Sequence, residues 1–193
     1  GRCATSPDGV TWTTQTSFTT AFGSANTAYA ICWSGSLFVV TGGGATCIVS
    51  TSTDGITWTT ANVIWTGNGG GNAVCWNGTV FTVLGGLPGT IVQCYTSPDG
   101  VTWTSRVTNF SNGAWAVGKG LCLCAAGTIL VASGVASGSA SLATSTDNGI
   151  TWVSQSSAFS SAIGLPTTPS SICYTGSKVA VIGNSSSGKF VFG

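Results

Sequence analysis

Side-chain catalysis draws on carboxylates, imidazoles, or thiols and hydroxyls with a base beside them. This chain of 193 residues offers four aspartates, eight cysteines, five Lys or Arg, and neither Glu nor His. All four acids, Asp8, Asp54, Asp99 and Asp147, occupy one place in four copies of a single motif. The copies read TSPDGVTW at 5–12, TSTDGITW at 51–58, TSPDGVTW at 96–103 and TSTDNGITW at 144–152. An Asp so placed accepts hydrogen bonds from backbone N–H groups just ahead of it and closes a turn. Gly9, Gly55, Gly100 and Gly149 supply the positive φ that such a turn needs. Trp12, Trp58, Trp103 and Trp152 then bury a ring against the sheet and fix the turn's orientation.

With every carboxylate committed to a turn, no acid–base pair is left for glycoside hydrolysis. Ser and Cys nucleophiles lack a His to activate them. Cys122 and Cys124, one residue apart and without a His, do not make a zinc site. No catalytic residue, metal ligand or cofactor is expected, and the chain reads as a non-enzyme. Residues 183–189 (GNSSSGK) mimic the start of a phosphate-binding loop, but Phe190 replaces the hydroxyl that would meet magnesium, and strand-like residues follow where a helix should.

Charged residues make up 5% of the chain, against roughly 25% in an ordinary globular protein. Arg2, Arg106, Lys119, Lys178 and Lys189 are too few and scattered to neutralise a nucleic-acid backbone. No apolar run approaches the length of a spanning helix, so no membrane insertion is expected. A surface of Ser, Thr, Asn and Gly suits an extracellular, virion or cell-surface location. A chain that opens on Gly1 is expected to be a processed product, an excised domain or a fragment, with any signal peptide removed.

The motif tryptophans stand 46, 45 and 49 residues apart, a period typical of propeller arrays. A second landmark keeps step: ICWSG at 31–35, VCWNG at 74–78, LCAAG at 123–127 and ICYTG at 172–176, each followed by an apolar run bounded by glycine. Such runs read as strands buried on both faces. One unit is therefore four antiparallel strands, with the Asp turn joining the third to the fourth, and no segment shows a helical period. The fold expected is all-β: a four-bladed β-propeller filling one domain, 1–193, with blades at about 28–61, 73–106 and 121–155. The last blade is shared between the termini (171–193 plus 1–15), because an unshared array leaves sticky edges. Closure between two chains, or a filament in which one chain's end completes the next, is the alternative.

The motif copies resemble Asp-box (BNR-like) repeats of sialidase-like β-propellers; residues 145–152 match the full form and the others look like a variant one residue shorter. The resemblance implies the fold, and implies that the Asp boxes lie on a rim away from an active face. A sialidase-like site would also need an arginine cluster, a Tyr–Glu pair and an acid, which this sequence lacks.

Eight cysteines permit disulfides, but cysteines on the first and third strands of one sheet stand too far apart to bridge. Buried free thiols are favoured, with disulfides as the alternative. An aromatic recurs six or seven residues after each motif Trp, giving Phe18, Trp65, Phe110 and Phe159, and Trp115 adds another. These are candidate sugar-stacking faces or filler between sheets. Trp33, Trp76 and Tyr174 are expected between sheets. Asn77, Asn109 and Asn184 begin glycosylation triplets. The functional expectation is a structural or interaction module whose partners are other protein subunits. The alternative is a lectin-like, multivalent binder of cell-surface glycans.

Overall fold

The computed structural model describes residues 1–67, 69–86, 92–106, 115–116, 121–136, 139–163 and 167–185. The chain begins with a hairpin, β1 (Cys3–Thr5) and β2 (Thr13–Gln15), closed by the first motif turn. Helix α1 (Thr16–Phe22) follows. Sheet one then runs β3 (Thr27–Trp33), β4 (Phe38–Gly43), β5 (Thr46–Ser52) and β6 (Asn62–Thr66), paired antiparallel in chain order. Sheet two repeats this with β7 (Gly71–Trp76), β8 (Phe81–Gly85), β9 (Gln93–Ser97) and β10 (Thr104–Arg106). In sheet three, β11 (Trp115–Ala116) and β12 (Cys122–Ala126) share one edge of β13 (Ile129–Ala136), followed by β14 (Ser139–Ser145) and β15 (Val153–Ser154). Helix α2 (Ser156–Ile163) leads to a last hairpin, β16 (Thr167–Tyr174) and β17 (Val179–Ser185).

The register is the same in each complete sheet. The motif serine pairs with the same position of the second strand, three residues after the turn glycine: Ser52 with Phe38, Ser97 with Phe81, Ser145 with Leu130. This repetition follows from the sequence, because the Gly turn and the Asp turn fix both ends of the second and third strands. Those strands are the most buried, as β4, β5 and β8 show.

The sheets pack on one another in chain order. Strand β7 packs on β3 and β4, β12 packs on β7, and β16 packs on β12, β13 and β14. Between sheets one and two lie Val39, Val49, Val74 and Val83; between two and three lie Leu84, Cys94, Leu123 and Trp152. The first hairpin sits against sheet one, with Cys3 beside a cluster of Phe18, Phe22, Val40, Ile48 and Trp58.

Two expectations need amending. The connections after Trp12 and Trp152 hold helices. Phe18 and Phe22, four residues apart, share one face of α1 and are buried against Trp58. Two turns are too short to display a period in sequence. Second, the sheet expected to be shared by the termini is present as two separate halves, β1–β2 and β16–β17. No pairing joins them among the described residues. The consequence shows at a repeated position on the innermost strands. Val74 and Leu123 are 6% and 9% exposed, whereas the corresponding Ile31 on β3 is 56% exposed, with Tyr29 and Trp33 uncovered beside it.

Candidate functional site

Three of the four motif turns share one hydrogen-bond set, and the fourth is a variant of it. Asp54 Oδ1 accepts from the Ile56 and Thr57 N–H groups, both at 2.7 Å, and from the Ser52 hydroxyl at 2.9 Å. Ser52 Oγ in turn accepts from the Gly55 N–H at 2.8 Å, and the Trp58 Nε1–H donates to Gly55 O at 3.0 Å. The same set forms around Asp8 with Ser6, Val10, Thr11 and Trp12, and around Asp99 with Ser97, Val101, Thr102 and Trp103. Asp147 carries one extra residue, Asn148, at φ 61°. It accepts from the Thr151 N–H and the Ser145 hydroxyl at 2.8 Å each, while the Thr151 hydroxyl donates to Oδ2.

Donors aimed at an anion favour its charged form. The Thr11 N–H, then the Val10 N–H, hold Asp8 down at about 2. The Thr57 and Ile56 N–H groups do so for Asp54, and those of Thr102 and Val101 for Asp99, again at about 2. Desolvation pushes the Asp147 carboxyl up, but its bonds from Thr151 and Ser145 outweigh this and leave it lowered. A carboxylate so held is a poor proton carrier near neutral pH.

Each interior turn also touches the sheet before it. A Cβ built on Gly55 would lie 3.2 Å from Thr5 Cγ2; on Gly100, 2.9 Å from Leu37 Cδ2; on Gly149, 3.2 Å from Thr96 Cγ2. Gly9 meets nothing within 4 Å. The tryptophans follow suit: Trp58 and Trp152 are 7% and 5% exposed, and Trp12 is 63% exposed. Sequence reasoning missed a further link between sheets. The Asn77 Nδ2 donates to Asn148 Oδ1 at 2.8 Å and to Thr128 O at 3.2 Å. Asn77 Oδ1 meanwhile accepts from the Thr79 and Val80 N–H groups. Asn148, the single inserted residue among the motif copies, was the available signal.

Among the described side chains, the candidate stacking aromatics Phe18, Trp65 and Phe159 do not gather into one face. Phe18 and Trp65 correct the expectation, since both are core residues. Phe18 stacks on Phe22 and meets the edge of Trp58 at 5.0 Å, and Trp65 packs on Tyr95 and donates to Gly69 O at 2.7 Å. Burial leaves neither ring a face for a sugar. Phe159 is half-buried at the rim of a cavity of about 260 Å3 between α2 and β17. The Trp115 backbone pairs with Ala136. Phe110 lies outside the described residues, as do Asn109 and the distal part of the loop mimic at 183–189. Trp76 packs on Phe81 as expected, but Trp33 and Tyr174 are 45% and 37% exposed.

All eight cysteines are free thiols. Burial pushes Cys32, Cys47 and Cys94 up to about 12 and Cys124 to about 11, so none of these is a ready nucleophile. Among the described residues no three Cys or Asp side chains form a group able to hold a metal ion. No helix among them is long and apolar enough to cross a membrane.

No family model matches the sequence, and a search of curated proteins finds no match. Among solved structures the chain is similar to the Trypanosoma rangeli sialidase, at 14% identity and a TM-score of 0.53, covering 92% of this chain and 37% of that one. The same sialidase in complex with 2,3-difluoro-KDN gives 15% identity and a TM-score of 0.56, covering 92% of this chain and 36% of that one. The likeness shows a sialidase-like β fold, and the chain spans less than two fifths of the length of these structures.

Proposed function

We propose that the chain is a non-catalytic module of Asp-box repeats that acts by protein–protein assembly on an extracellular, virion or cell surface. In this reading each chain carries four sheet units, the fourth supplied as halves by the two ends. The observation that carries it is the pair of unjoined half-sheets together with the uncovered apolar stripe of Tyr29, Ile31 and Trp33. Sheet edges and apolar stripes of this kind are interaction surfaces. The inventory supports the non-catalytic part: four carboxylates engaged in turns, no Glu and no His. The low charge supports the surface location.

The solved relatives are named sialidases, so the first assay is release of sialic acid from a fluorogenic sialoside. No turnover is expected, and reproducible turnover by the purified chain overturns the non-catalytic reading. Sedimentation velocity over a concentration series tests assembly. A chain that stays monodisperse and monomeric, and captures no neighbouring surface protein, removes the assembly reading. Specific glycan-array hits under those conditions transfer the assignment to a lectin-like module.

A further inference from the structure

We propose that the exposed ends are the two halves of a head-to-tail interface between copies of this chain, in which β17 of one copy pairs with β1 of the next. The inference rests on the assembly reading above and names its partner and its register. Strands β16–β17 have the form of the inner half of a unit, and β1–β2 with its Asp turn have the form of the outer half. Hydrogen bonds join the corresponding halves in sheets one, two and three. Among the described residues β17 and β1 each keep one edge without a strand.

The repeated register dictates how these edges meet. Tyr174 pairs with Val179 as Trp33 does with Phe38 and Trp76 with Phe81, so Val179 is the position that faces the motif serine. That places Val179 opposite Ser6, Ala180 opposite Thr5, Val181 opposite Ala4 and Ile182 opposite Cys3. Sidedness agrees. Thr5 already faces Gly55 of sheet one, so Cys3, on the same face of the strand, looks the same way. Ile182 would join them over the exposed Ile31, beside a cavity of about 290 Å3 lined by Cys3, Ala4, Tyr29 and Ile31.

The opposite face fits equally. In sheet one, Trp58 is covered by Phe18 of the helix before it. The corresponding pair is Trp12 and Phe159 of α2. Phe159 borders the cavity of about 260 Å3 together with Val131, Leu142, Thr144, Val179 and Val181. An apolar cavity beside an unpaired strand, and an exposed Trp at the end of a hairpin of matching register, are complementary. The Gly9 turn would then rest on Thr144 as the Gly149 turn rests on Thr96. Among the described residues β17 and β1 of one copy are not paired with each other, and the partner proposed for each edge is a second copy.

The test is an Ile182→Cys variant under diamide oxidation, since residues directly opposite in an antiparallel pair lie within disulfide reach. The expected product is a ladder of dimers and higher species on a non-reducing gel. Peptide mapping should then place the bridge between Cys3 of one copy and the thiol introduced at position 182 of the next. Val181→Cys, pointing to the other face, gives no link to Cys3. Without oxidant, Trp12→Ala weakens self-association by roughly tenfold or more, the loss typical of a buried interface tryptophan. The same bridge formed inside a monomer overturns the inference in favour of a ring closed within one chain. Self-association that persists without the bridge, and is unchanged by Trp12→Ala, overturns this interface while sparing the assembly reading. A strictly monomeric chain with neither bridge nor partner overturns both.

Discussion

The turn at Asp54 and the turn at Asp8 make the same hydrogen bonds to nearly the same sequence, yet one is locked into the fold and the other stands clear of it. Trp58 is buried under Phe18 and Phe38, while Trp12 is open to solvent. A Cβ at Gly55 would lie against Thr5, while one at Gly9 would meet no other residue among those described. The motif is thus self-sufficient as a turn, and its packing is conferred by whatever sheet stands before it. Local chemistry sets the shape, and neighbours decide what that shape contributes to stability.

The contrast is sharpest at the tryptophans. In dilute solution Trp152→Ala should cost about 3–5 kcal/mol, the range for truncating a buried aromatic, while Trp12→Ala should stay within about 0.5 kcal/mol. Urea denaturation measures both, and equal costs would erase the distinction between interior and end turns. Asn77→Ala should cost about 1–3 kcal/mol, because two N–H groups and Asn148 lose a partner at a buried site. Ser34, at the corresponding turn of sheet one, makes local contacts, accepting from the Ser36 and Leu37 N–H groups and meeting the Ser36 hydroxyl, so Ser34→Ala should cost about 1 kcal/mol or less.

Glycine substitutions separate strain from packing. Gly9→Ala and Gly100→Ala share a positive φ, of 76° and 73°, costing about 1–2 kcal/mol each. Only Gly100→Ala also pushes on Leu37 and Val39, so its unfolding midpoint should fall further. The smallest contrast is in pH. The turn carboxylates titrate near 2 when folded, below the roughly 3.9 of an unfolded Asp. Their contribution is therefore present above about pH 4 and is lost as pH falls through about 2. A melting temperature flat between pH 5 and 2 would remove the turns from the account of stability. Asp99→Asn should flatten the acid slope, and Asp8→Asn should do the same to a similar extent, since those bonds are local.

Legibility in the sequence follows the range of the interactions. The turns depend on Ser, Asp, Gly and Trp within eight or nine residues, and the second strands on short apolar runs between glycines, so both stand out in one dimension. Helices α1 and α2 do not, because each is held by a few contacts made across the fold rather than by a period of its own. Trp65 and Phe159 share a spacing from the motif Trp, yet Trp65 lies in strand β6 under Tyr95 and Phe159 lies on a helix at a cavity. Burial at such positions depends on which element the connection becomes. The ends were hardest of all: residues 1–15 and 171–185 encode compatible half-units, but no local pattern says whether two strands of matching register meet.

The buried thiols give the molecule a built-in record of its own opening. Alkylation requires a thiolate, and desolvation keeps Cys47 and Cys94 protonated far above neutral pH. Cys173, on the inner strand of the last hairpin, is exposed. Timed labelling with iodoacetamide should therefore modify Cys173 first. Cys47 and Cys94 should follow only as fast as their own sheets come apart, turning eight natural residues into a sheet-by-sheet clock of unfolding.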